Sequence, residues 1–247
     1  MMPYIYIVLP SYTVMALVGG FFALGFIFFR LGKYGIVFSD YLKLFIICLI
    51  CGYLGSKILY ALTQIPWLIS NFSFMNLIML IPNSGFVFYG GLFGVIAGIL
   101  LFTRSEPEKR VRFFRMCVPA FPLFHAFGRI GCFLSGCCYG RELHSHVFVG
   151  PLELDRIPVQ LIESLAEFII FAILIIIDKK KENADLLRIY LLTYATVRFF
   201  DEFLRGDRIR GIFLGISTSQ WISLAIIVFY VVKYIKQRKN TIAAAAA

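Results

Sequence analysis

The densest run of chemically capable residues is Gly128-Arg129-Ile130-Gly131-Cys132-Phe133-Leu134-Ser135-Gly136-Cys137-Cys138-Tyr139-Gly140-Arg141. It brings four glycines, three cysteines and two arginines to the end of an apolar segment. Glycines this close together suit turns and tight backbone packing. An arginine in such a segment is costly in hydrocarbon and is expected to face a protein interior or a polar cavity. The run therefore reads as a broken or re-entrant helix lining a site within a membrane. The alternative is a glycine-rich packing seam with an arginine snorkelling to the interface.

Two further groups share the helical spacing that puts side chains on one face. Gln160, Glu163 and Glu167 stand at i, i+3 and i+7, with Glu167 roughly 13 Å along a helix from Pro158. An acid at that depth is by default a candidate functional group, or else half of an ion pair with Lys57 or an arginine. Arg198, Asp201, Glu202 and Arg205 repeat the pattern, where an i,i+4 pair of Arg198 with Glu202 is the modest reading. Tyr89-Gly90-Gly91 puts an aromatic hydroxyl beside backbone that a headgroup can approach, or marks an interfacial anchor.

The cysteines raise the question of a metal. Cys132, Cys137 and Cys138 precede His144 and His146, but a four-residue gap followed by adjacent cysteines matches no regular zinc knuckle. No metal site or cofactor is assigned from the sequence; a Cys132–Cys137 disulfide or, more simply, small residues packed in a tight turn accounts for them. Cys48, Cys51 and Cys117 lie in apolar runs and read as small hydrophobes. His125 reads as a core histidine.

The elements that must hold these groups are set by composition. Of 247 residues 60% are hydrophobic and only 15% charged, with mean hydropathy +0.84. A soluble domain could not cover that apolar surface, so the chain is expected to be an all-α polytopic membrane protein. Windows long enough to span fall near 11–29, 41–62, 86–103, 113–138, 158–177, 186–204 and 217–235, about seven transmembrane helices. They form a single transmembrane domain over 1–240, with an interfacial segment near 63–85 carrying Trp67 and a tail at 241–247 outside the fold. Met1 to Pro10 holds no lysine or arginine, and no removable signal peptide is read there.

The net charge of +10 is mostly topological. Sixteen of 24 basic residues cluster near 30–43, 104–115, 179–188 and 233–239, at alternate ends of the spans. That places the N-terminus outside and the C-terminus inside, and removes nucleic acid as the leading partner. Lys57, Arg129, Arg141, Arg156, Arg198, Arg205, Arg208 and Arg210 break the trend by falling on the outer side. Cations gathered there suit an anionic ligand, with a phospholipid phosphate the nearest candidate.

In order along the chain, these motifs resemble one family, the prolipoprotein diacylglyceryl transferases of bacterial membranes. Phe88-Tyr89-Gly90-Gly91-Leu92 resembles their Phe-His-Gly-Gly-Leu motif. The run from Gly128 to Arg141 resembles their Gly-Arg-(Leu/Ile)-Gly-Asn-Phe-x-Asn-x-Glu-x-x-Gly signature. Pro158-Val159-Gln160-Leu161-Ile162-Glu163 resembles His-Pro-Ser-Gln-Leu-Tyr-Glu, and Arg198 to Arg205 resembles Arg-Phe-x-x-Glu-Phe-x-Arg. Gln220 falls where the family has a glutamine, Tyr12 aligns with a functional tyrosine and Lys57 with an arginine. Seven spans with an outer N-terminus also fit.

The resemblance implies transfer of a diacylglyceryl group from phosphatidylglycerol to a cysteine thiol of a lipoprotein precursor, releasing glycerol phosphate. It implies a site in the outer half of the bacterial plasma membrane. Arg129 and Arg198 would clamp the leaving phosphate and Glu202 would orient Arg198. Tyr12, Lys57, Gly90, Gly91, Cys132, Ser135, Cys137, Gln160, Glu163 and Arg205 would shape the substrate site. The departures concentrate on the acceptor side. Tyr89 replaces the family's histidine and is a far weaker base at neutral pH. Cys132 and Ser135 replace asparagines and Cys137 a glutamate, exchanging hydrogen bonding and charge for thiols. A different acceptor, or a phospholipid- or partner-binding protein that has kept the scaffold without the chemistry, is the alternative expectation. A transporter is disfavoured because no repeat relates paired broken helices.

Overall fold

The computed structural model describes residues 4–5, 9–71, 73, 87–149, 152–206 and 212–246. A short hairpin, β1 (Tyr4–Ile5) with β2 (Leu9–Pro10), leads into α1 (Ser11–Tyr34). There follow α2 (Phe38–Thr63), α3 (Ile65–Ser70), α4 (Phe88–Phe102), α5 (Pro107–Cys117) and α6 (Ala120–Leu134). A hairpin of β3 (Glu142–Val149) and β4 (Leu152–Arg156) separates α6 from α7 (Val159–Lys180) and α8 (Leu186–Asp201). One 3-10 turn (Glu202–Leu204), the strands β5 (Ile212–Phe213) and β6 (Ile216–Ser217), and α9 (Thr218–Ala246) complete the chain.

Among the described residues, five helical stretches have the length and apolar composition to cross a bilayer: Ser11–Tyr34, Phe38–Thr63, Pro107–Leu134, Val159–Lys180 and Thr218–Arg238. Their outward side chains include Phe21, Phe29, Leu49 and Leu165, each more than half exposed, as lipid-facing residues are. This is a multi-pass helical membrane protein.

Two of the seven expected windows are shorter helices. α4 has 15 residues and α8 has 16, so at 1.5 Å per residue each covers roughly 22–24 Å of a hydrocarbon core about 30 Å thick. The window at 113–138 also differs. Helix begins earlier, at Pro107, is interrupted by a turn before Ala120, and stops at Leu134. Proline explains the interruption: the ring of Pro119 supplies no backbone donor to continue the ladder. The β3–β4 hairpin was not among the expected elements: it lies between spans, and Glu142–Val149 lacks the strict polar–apolar alternation of a half-buried strand. The side chains of Trp67, His144 and His146 lie outside the described residues, as do residues 74–86 and 207–211.

The chain forms two compact units. The first contains Met1–Gly25 and Val118–Ala247, the second Phe26–Cys117. In the second, α2 packs along α4 at a spacing set by glycine. A Cβ on Gly90 would strike the carbonyl of Gly55, and one on Gly94 the carbonyl of Cys51. Small residues at such a seam let helix backbones meet where lipid gives no hydrophobic drive to association. Ser56 Oγ donates to the carbonyl of Val87 at 3.1 Å, fastening α2 to the start of α4.

In the first unit α6 packs on α7, α7 on α8 and α8 on α9. Tyr190 and Tyr194 stack at 5.9 Å on α8, and His125 of α6 meets Tyr194 edge-on at 5.4 Å. The start of α9 is fixed by a capping box. Ser217 N–H donates to Gln220 Oε1 at 2.9 Å, and Gln220 N–H donates to Ser217 Oγ at 3.2 Å.

A buried arginine–carboxylate centre

Three helices of the first unit carry ionisable side chains into their shared interior. Arg129 comes from α6, Glu163 and Glu167 from α7, and Arg198 and Asp201 from α8, with Glu202 just beyond; all are buried. The spacing on α7 explains the depth. The i, i+3, i+7 set of Gln160, Glu163 and Glu167 lines one face, and that face is at most 1% exposed.

Glu163 is the hub. Its Oε2 lies 2.8 Å from Arg129 Nε and accepts from Arg198 Nη1 at 3.1 Å. Arg198 Nη1 also donates to Asp201 Oδ2 at 3.4 Å, and Nη2 donates to Ser219 Oγ at 3.4 Å. Glu202 Oε2 sits 2.8 Å from Arg198 Nη2 and 4.0 Å from Arg205 Nη1. Three guanidinium groups thus face three carboxylates, which compensates charge that would be prohibitive alone at this burial. Arg129 Nη2 is buried and has no hydrogen-bond partner among the described residues. It is a donor available to an anionic oxygen.

One turn along α7, Glu167 Oε1 and His125 Nδ1 meet at 2.8 Å, and His125 Nε2 is 3.7 Å from Glu163. Sequence reading had His125 as a core residue; its burial agrees, and its contacts add it to the charged layer. Asp201 was read on the polar face with Arg198 but given no role in the site, and nothing local signalled Ser219.

The glycine-rich run is held against the same centre. Gln160 Nε2 donates to the carbonyl of Cys137 at 2.7 Å. Gly140 N–H donates to Ile157 O at 3.2 Å, Arg141 N–H to Leu204 O at 2.9 Å, and Gly206 N–H to Tyr139 O at 3.0 Å. Residues 139–141 are therefore laced between the start of α7 and the end of α8. A Cβ on Gly140 would meet the Ile157 carbonyl, so only glycine fits there. Gly131 lets α1 approach: a Cβ on it would sit 3.2 Å from Tyr12 Cα. Tyr12 is 42% exposed at the start of α1. Ser135 caps the C-terminus of α6, its Oγ buried and without a hydrogen-bond partner among the described residues.

Of the expected residues, the first unit brings together Arg129, Gln160, Glu163, Arg198, Glu202, Arg205, Cys132, Cys137, Ser135 and Tyr12. Tyr89, Gly90, Gly91 and Lys57 belong to the second. Tyr89 is 2% exposed and stacks on Phe93 at 5.9 Å, so it is a packed residue there. Gly90 serves the α2–α4 seam, whereas a Cβ on Gly91 would make only ordinary contacts, at 3.7 Å and beyond. Lys57 is 9% exposed, its Nζ 5.6 Å from the Tyr53 ring.

The chain resembles known proteins over most of its length. Residues 3–236 match the family model described as prolipoprotein diacylglyceryl transferase. The chain is 35% identical over 208 residues to phosphatidylglycerol–prolipoprotein diacylglyceryl transferase 2 of Clostridium perfringens, covering 79% of this chain and 80% of the relative. It is 32% identical over 205 residues to the Clostridium tetani protein of that name, covering 78% and 80%. A Dehalococcoides mccartyi relative matches over 95% of this chain and 92% of its own length at 26% identity. With its arginine–carboxylate centre built from the motifs in which the likeness was first read, the chain belongs to the prolipoprotein diacylglyceryl transferase family.

Proposed function

We propose that this chain is a membrane transferase that moves a diacylglyceryl group from phosphatidylglycerol to the cysteine thiol of a prolipoprotein. The observation that carries the reading is the convergence of Arg129 and Arg198 on one oxygen of Glu163, at 2.8 and 3.1 Å. Two guanidinium groups held side by side before substrate arrives need no reorganisation when charge develops, which is the electrostatic requirement for expelling a phosphate. The acceptor sulfur forms a bond to the glyceryl carbon that bears the phosphate ester. The carbon–oxygen bond breaks, its electron pair stays on the phosphate oxygen, and glycerol phosphate departs. The thiol proton leaves with a base or solvent. Arg129 Nη2, a donor without a partner among the described residues, is assigned to a phosphate oxygen, and Glu202 and Asp201 hold Arg198 in position.

The reading carries an orientation. The N-terminus lies outside, the basic segments near 104–115 and 179–188 lie in the cytoplasm, and the centre faces the outer half of the plasma membrane. The supporting feature is charge asymmetry: Arg129, Arg198 and Arg205 are buried, while Lys179 and Lys180 at the far end of α7 are exposed. No nucleic-acid partner is part of the reading.

The test is turnover in membranes with phosphatidylglycerol labelled in its glycerol headgroup and a cysteine-bearing lipoprotein peptide. Release of labelled glycerol phosphate with a thioether on the peptide is expected, falling by about 100-fold or more in Arg129→Ala. Tight phosphatidylglycerol binding without release, for any thiol peptide, would establish the non-catalytic lipid binder instead.

A further inference from the structure

The end of α6 gathers three thiols that the arginine–carboxylate centre does not use. The sulfur atoms of Cys132, Cys137 and Cys138 all lie within 4.8 Å of one another, and all three cysteines are free. The backbone is bent to bring them there. Gly136 and Cys138 both have left-handed φ, +70° and +58°, with Cys137 between them. For Cys138 this is a conformation that side-chain-bearing residues rarely adopt. Cys137 N–H and Sγ both reach back to the carbonyl of Cys132, at 3.1 and 3.6 Å. On its other side, Gln160 holds the Cys137 carbonyl. A strained turn fixed from two directions persists where the surroundings over-determine it.

We propose that Cys132, Cys137 and Cys138 form a three-thiolate site for one zinc ion, and that the remaining coordination position takes an incoming thiol. Thiolates select soft or borderline cations such as zinc over calcium or magnesium. In a tetrahedral zinc–thiolate site, with bonds of about 2.3 Å, sulfurs stand about 3.8 Å apart, so a spread within 4.8 Å closes by rotamer adjustment. Three thiolates and Zn²⁺ leave one net negative charge. The fold sets arginines beside it: Arg129 is one turn before Cys132 on α6, and Arg205 bridges to Gly140 just past Cys138. Three protein ligands with one position to spare is the arrangement of zinc sites that exchange ligands. Access comes from Cys137, which is exposed, while Cys132 is buried and anchors the site. A thiol that binds zinc does so as thiolate and gives its proton to solvent, which generates the nucleophile without a histidine base. Only this second part rests on the transferase reading; zinc binding stands apart from it.

The test uses the full chain purified in detergent from zinc-supplemented cells under reducing conditions. Metal analysis is expected to give one zinc per chain for the wild type and less than about a tenth of that for Cys138→Ser and for Cys137→Ser. Cys137→Ser alters an exposed thiol, so its unchanged elution and melting separate metal loss from misfolding. Cobalt exchanged into the wild type is expected to show sulfur-to-cobalt absorption that grows when N-acetylcysteine methyl ester is added. Zinc-free wild type, or thiol titration showing a disulfide among the three, overturns the site. Bound cobalt whose spectrum ignores the added thiol overturns the acceptor role. Intact zinc and thiol responses without phosphatidylglycerol turnover would instead refute the transferase reading.

Discussion

Arg198 donates through Nη1 to Glu163 Oε2 at 3.1 Å, and that same oxygen lies 2.8 Å from Arg129 Nε. One carboxylate therefore holds two guanidinium groups that would otherwise repel across a low-dielectric interior. Glu163→Gln keeps the volume and removes the charge. Breaking a buried pair from one side costs about 3–5 kcal/mol; here Arg129 loses the carboxylate beside it, while Arg198 keeps Asp201 and Glu202. A lowered melting temperature in detergent is expected, together with loss of turnover. Wild-type melting behaviour in this variant would show that the arginines are balanced by other groups.

Arg198→Lys separates charge from geometry. The Arg198 fork serves Glu163, Asp201, Ser219 and Glu202 at once. Lysine offers one point charge on a flexible stem and cannot meet all four. Turnover with labelled phosphatidylglycerol is expected to fall about 100-fold or more, with a smaller effect on stability than Arg198→Ala. Near-normal turnover would mean that position 198 supplies charge alone.

How much of this was legible depends on whether the signal was local. The hydrophobic windows and the i, i+3, i+7 acids needed only helical periodicity, so α7 and its polar face were readable outright. The convergence of Arg129, Glu163 and Arg198 was foreseen only by type, because three separate helices supply them and spacing within one helix says nothing about its neighbours. Ser219 was invisible for that reason. The window at 86–103 takes in the caps of α4, Val87 and Thr103, and the window at 186–204 takes in the 3-10 turn Glu202–Leu204 after α8, so both run past the helices themselves. Cys132, Cys137 and Cys138 looked irregular in spacing, since left-handed backbone at Gly136 and again at Cys138, a residue other than glycine, was not expected from the sequence.

The α2–α4 seam gives a prediction away from the charged centre. Gly94 lies against the carbonyl of Cys51, and Gly91 has ordinary contacts at 3.7 Å and beyond. Gly94→Val must push the helices apart, and overpacking of this kind costs about 1–3 kcal/mol or more. Gly91→Ala is expected to leave melting unchanged. Equal effects of the two changes would argue against the close approach.

The last prediction concerns how α9 positions Ser219. Ser217 caps the helix reciprocally with Gln220, at 2.9 and 3.2 Å, and two residues later Ser219 Oγ accepts from Arg198 at 3.4 Å. Ser217→Ala removes the side-chain half of the cap and should cost about 0.5–2 kcal/mol of stability. Ser219→Ala removes one acceptor from Arg198 without touching the cap. Ser217→Ala is therefore expected to lower melting more than turnover, and Ser219→Ala to lower turnover more than melting. Thermal melting and labelled-lipid release on both variants decide the matter. If the two variants respond alike, the cap and the arginine contact act as one unit, and Ser219 has no separate role in holding Arg198.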